Sequence, residues 1–118
     1  MHEIALYLAR RDAYAAYLSA AEAECGVAHH RIDGRFANDT EAVAAVDQAY
    51  AATRAAFNVL AVEGEDTGPV KQARTLNEVL RTLHSGGGHH PDWAAFRDAR
   101  DAFLAAAADH LKSFRIED

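Results

Sequence analysis

Seven histidines stand in a chain of 118 residues, and five of them fall in two short stretches. One is the pair His29-His30. The other is HSGGGHH, residues 84–90, which ends in Pro91 and leads to Trp93. Neutral imidazole binds Zn²⁺, Ni²⁺ and Cu²⁺, so metal chemistry is the first to weigh. Neighbouring residues on a helix point about 100° apart, so only one histidine of each adjacent pair can face a shared ion. His29 and Asp33 are four apart and form the best pair of ligands on one helix face. A metal-binding reading therefore uses His29, His30, Asp33, His84, His89 and His90. Against it, Gly86, Gly87 and Gly88 impose no fixed geometry, and structural zinc sites set their ligands on short ordered spacings. The stretch reads first as a solvated loop, with no metal or cofactor expected and no loss of melting temperature on chelation.

Other chemistries lack their residues. Neither HExxH nor CxxC occurs, and no P-loop or GxGxxG is present. The Glu-x-x-His spacing of di-iron bundles is missing too. Ser85 sits beside His84, but adjacency on a flexible loop is the wrong geometry for a nucleophile and its base. The acids, Glu22, Glu24 and Asp47 among them, read as a solvated outer face. Cys25 stands alone, so no disulfide can form within the chain, and it fits a reducing, cytoplasmic compartment as a small apolar residue. The start of the chain has an acid at Glu3 and no long apolar run, which argues against secretion. The formal charge of −6 argues against a nucleic-acid or anionic-membrane surface. A non-enzymatic role is expected.

The elements that would position these residues are helices. Alanine makes up close to a quarter of the chain, and it is the best helix former and a poor core filler. Ile4, Tyr7, Leu8, Tyr14, Leu18, Ala21 and Cys25 share one wide face of a first helix. Gly26 ends that helix or is carried through it. The spacing of Leu18, Cys25 and Ile32 favours a run to Ile32, with Asp33-Gly34 as the stop. Asn38 can cap a second helix, with Glu41 in capping-box spacing. Val43, Val46, Tyr50, Thr53, Phe57 and Leu60 give it the most regular stripe in the chain. Thr67 or Gly68 can cap a third helix, with Pro69 in its first turn. Its stripe is Val70, Ala73, Leu76, Val79, Leu80 and Leu83. The fourth begins near Pro91-Asp92 and buries Trp93, Phe96, Phe103, Ala107, His110, Leu111 and Phe114.

These segments predict one all-α domain over 1–118, an antiparallel up-down-up-down four-helix bundle whose third helix is the shortest. That topology gathers His29, His30, His84, His89 and His90 at one pole. On the first helix a second apolar strip, Leu6, Ala13, Tyr17 and Ala20, lies away from the expected inner face. It either packs inside the bundle or serves as an interface for a protein partner, most simply a second copy of the chain. Action through protein contacts or self-association is the leading functional expectation. A small-ligand or metal-binding bundle built on the histidine-rich pole is the alternative.

Three stretches carry a resemblance: RRDAYAAYLSAAEA, then AYAATRAAFNVLAVEG with GPVKQARTLNEVL, then DWAAFRDARDAFLAAAADHL. Together they resemble a group of small, uncharacterised helical proteins from actinobacteria. Arg100, Ala102, Phe103, Ala106 and Ala107 match the last-helix pattern of that group with altered spacing. The resemblance implies a helical fold and no activity. The histidine-rich loop lies outside it.

Overall fold

The computed structural model describes residues 2–62, 64, 67–85 and 93–114. It is an all-α four-helix bundle made of α1 (His2–Ile32), α2 (Asp39–Ala61), α3 (Gly68–Ser85) and α4 (Trp93–Lys112). Consecutive helices run antiparallel, up-down-up-down. α1 packs mainly on α2, and α3 mainly on α4.

Each helix end has a physical cause. α1 runs straight through Gly26, where a methyl group would meet nothing within 4 Å. It stops at Gly34, whose φ of 69° is the left-handed conformation that glycine adopts freely. There the amide of Gly34 donates to Arg31 and that of Arg35 donates to His30, so two terminal carbonyls are satisfied. Asn38 accepts from the Glu41 amide at 2.8 Å and caps α2. Thr67 accepts from the Val70 amide at 3.3 Å and caps α3. α3, with 18 residues, is the shortest helix.

The core is the expected stripe on α3 and α4. Val70, Ala73, Leu76, Leu80 and Leu83 face Phe96, Ala99, Phe103 and Ala107. Phe103 is its largest aromatic hub, with Tyr17 at 5.1 Å and Tyr14 edge-on at 6.1 Å. On α1 the inner face differs from the expectation. Tyr14, Tyr17, Ala21, Glu24 and Ala28 are buried, whereas Ile4 and Leu8 are exposed. Antiparallel pairing is the reason. Thr53 reaches the Ala20 carbonyl and Phe57 reaches Tyr17. Ala61, the end of α2, therefore comes level with about Ala13. The first turns of α1 project past it, and their apolar residues have no helix of that hairpin to pack on. On α2, Thr53, Phe57 and Leu60 are buried as expected, but Val43 and Tyr50 are exposed. The first half of α2 stands off from α3, and that gap is the feature that matters for function.

The strip Leu6, Ala13, Tyr17 and Ala20 divides. Tyr17 is 0% exposed and so cannot anchor a partner; it belongs to the core. Ala13 packs against the same core, and Leu6 stays exposed on the projecting turns.

Candidate functional site

A groove of about 370 Å³ opens between α2 and α3, with α1 as its floor. Val46 and Tyr50 form an apolar wall on α2. Asn77 and His84 of α3 and Glu24 of α1 supply polar groups inside it. Asp47 and Arg54 stand on the α2 rim, Glu78 and Arg81 on the α3 rim.

Glu24 is the unexpected member. It is 2% exposed, and the Nε2 of His84 lies 2.8 Å from its carboxylate. A carboxylate has no proton to give, so the imidazole donates from Nε2. The His84 Nδ1 is then enclosed, with no hydrogen-bond partner among the described residues. Burying a charged acid is costly unless it is paired. The fold provides the partner from the last turn of α3, far away in sequence. Glu24 was legible only through its spacing. It lies on the same helical line as Tyr17, Ala21 and Ala28, and an acid on a buried line needs a counter-group.

The floor below this pair is rigid. The Tyr17 hydroxyl lies 2.9 Å from the Ala73 carbonyl and 2.6 Å from the carboxamide of Asn77. A phenol has one proton. It is directed at two acceptors, the Ala73 carbonyl and the Asn77 Oδ1. Asn77 is thereby held with one end in the groove. Burial pushes the Tyr17 phenol well above the ordinary tyrosine value of 10.0, and the Glu24 carboxylate adds in the same direction. A raised acid constant means that the native state holds this proton more tightly than the unfolded chain. The resulting stability is complete below about pH 10 and is lost as pH rises through the native value. Urea titrations between pH 8 and pH 11 should show stability falling at the alkaline end. Tyr17→Phe should remove up to about 1.4 kcal/mol per pH unit of that slope, the limit for one proton. An unchanged slope would place the alkaline loss elsewhere.

The other candidate ligands go to different places. His29 Nδ1 meets Asp33 at 3.0 Å, as their spacing suggested, and the His29 ring stacks on Trp93 at 4.7 Å. That stack joins the end of α1 to the start of α4 and shows that both lie at one pole. The His30 ring packs edge-on against Phe36 at 5.1 Å. His84 turns inward to Glu24. His89 and His90 lie outside the described residues. Among the described residues no group of three or more His, Cys, Asp or Glu side chains is placed to hold a metal ion. No described helix is long and apolar enough to cross a membrane.

The rim charges are only partly matched. Arg81 pairs with Glu78 on its own helix. Arg54 lies over the Tyr50 ring at 5.9 Å. Among the described residues no carboxylate pairs with Arg54 and no cation with Asp47. No family model, no curated protein and no solved structure matches this chain.

Proposed function

We propose that this chain is a non-enzymatic, cytoplasmic binding protein whose α2–α3 groove takes a compact zwitterion with an apolar middle. The groove itself carries the reading. It has the volume of a small-molecule site, an apolar wall that the bundle leaves uncovered, and a buried Glu24–His84 pair beneath it. Arg54 and Asp47 define the ligand class. They lie seven residues apart on one helix, about 10 Å along its axis. An anionic end suits Arg54, a cationic end suits Asp47, and a flat or aliphatic body fits between them on Tyr50 and Val46. An ω-amino acid or a dipeptide has this form.

Thermal melting against a panel of zwitterions tests the reading, with calorimetry on any hit. A ligand at about 100 times its dissociation constant adds about 2.7 kcal/mol to stability, which a melting curve registers. Arg54→Glu and Asp47→Lys, both at exposed positions, should each weaken the hit by roughly tenfold or more. A panel in which no zwitterion raises the melting temperature, or a hit indifferent to both changes, sinks the proposal.

A further inference from the structure

α1 carries a second heptad line on the flank opposite α2: Ile4, Leu8, Arg11, Ala15, Leu18, Glu22 and Cys25. Their steps alternate four and three, the spacing of a coiled-coil seam. Ala20, whose carbonyl meets Thr53 of α2, lies on the other flank. Ile4 is 47% and Leu8 39% exposed, and Leu104, 44% exposed, continues the surface onto α4. Between the two helices this face forms an apolar groove of about 260 Å³.

We propose that this face is the seam of a two-fold homodimer in which α1 runs antiparallel to α1 of a second copy. The inference goes beyond the ligand groove, which opens on a different side of α1. Charge decides the orientation. Arg11 and Glu22 are the two charged members of the line, and they lie six and five residues from Tyr17, the middle of the 31-residue helix. A parallel pairing in register would set Arg11 against Arg11 and Glu22 against Glu22. An antiparallel pairing centred level with Ala16 and Tyr17 sets each Arg11 against a Glu22. The same register sets Leu8 against Cys25 and Ala15 against Leu18, so each of these layers joins a large side chain to a smaller one. Among the described residues Arg11 pairs only with the adjacent Asp12, at 3.4 Å. Both copies also gain a cover for the turns that project past α2. Paired along the line from Ile4 to Cys25, ~33 Å by ~10 Å, the two copies bury on the order of 700 Å² through α1 alone. Leu104 and Ala108 at the margin extend the face toward the ~1,000 Å² of a specific interface.

Light scattering and sedimentation over a concentration series test this directly. The wild-type chain should show about twice its 12.8 kDa mass. Arg11→Glu and Glu22→Arg, each at an exposed position, should each raise the dissociation constant by roughly tenfold or more. Mixing the two variants in equal amounts should restore the dimer, because every opposed pair is then of opposite sign. The double variant should be restored as well. In a separate measurement, Leu8→Cys should oxidise to a covalent dimer through Cys25 of the partner subunit, and Cys25→Ser should abolish it. Within one helix these positions are ~25 Å apart, and a disulfide requires less than ~7 Å. A wild-type monomer at every concentration overturns the proposal. So does a mixture that stays monomeric, or a Leu8→Cys chain that does not cross-link.

Discussion

Phe103→Ala should lower the unfolding free energy by about 3–5 kcal/mol, the range for emptying a buried phenylalanine site. Phe103 is 1% exposed and touches both Tyr14 and Tyr17, so its ring joins α4 to α1. The cavity cannot collapse easily. Tyr17 is fixed by its hydroxyl to Ala73 and Asn77, and moving it inward would break those bonds. Small domains hold only about 5–15 kcal/mol in total, so the loss is a large share of the fold's stability. Urea denaturation measures it. Phe57→Ala should act in the same direction, and Val62→Ala, at an 82% exposed position, should stay within about 0.5 kcal/mol. Losses under about 1 kcal/mol at both phenylalanines would mean that the aromatic hub does not hold the bundle together.

The helices were legible because their signals are local. Asn38 and Thr67 carry capping side chains, Gly34 carries the only conformation that could end α1 so sharply, and the stripes of α3 and α4 have one dominant face each. α1 was harder. Two lines, one through Tyr14, Tyr17 and Ala21 and one through Leu8, Ala15 and Leu18, are both apolar and both seven-residue. Periodicity does not say which one meets the other helices. The antiparallel register decides it, and that register is a tertiary property. For the same reason Tyr50, although in step with Thr53 and Phe57, stands on the groove wall: its helix diverges from α3 at that level.

The groove was mostly illegible. Its residues come from three helices, and none of them stands in a motif with another. Glu24 reads as one surface acid among many, and His84 as one loop histidine among three. Only folding brings the end of α3 against Glu24, in the last third of the long α1. The histidine-rich stretch draws attention because of its composition, and its first member, His84, has its partner sixty positions away.

The Glu24–His84 pair gives the second large effect. His84→Leu should lower stability by about 3–5 kcal/mol, since removing one partner leaves the other charge buried and uncompensated. Glu24 is 2% exposed and the His84 side chain 13%, so water replaces the lost partner poorly. Glu24→Gln should lose less, because the amide oxygen can still accept the Nε2 proton. The informative variant is the double one. Glu24→Leu with His84→Leu removes both hydrogen-bond partners together, and replacement of both members of a buried polar pair by packed apolar groups is commonly neutral or stabilising. It should recover most of the single variant's loss. A pair that costs the fold something and is still present points to a role outside the fold. The doubly substituted chain should therefore melt near the wild type and yet bind a groove ligand far more weakly. Recovery of stability with undiminished binding would leave the pair as a packing feature only. Failure of the double change to recover stability would show that the pair itself, with its geometry, stabilises the junction of α1 and α3.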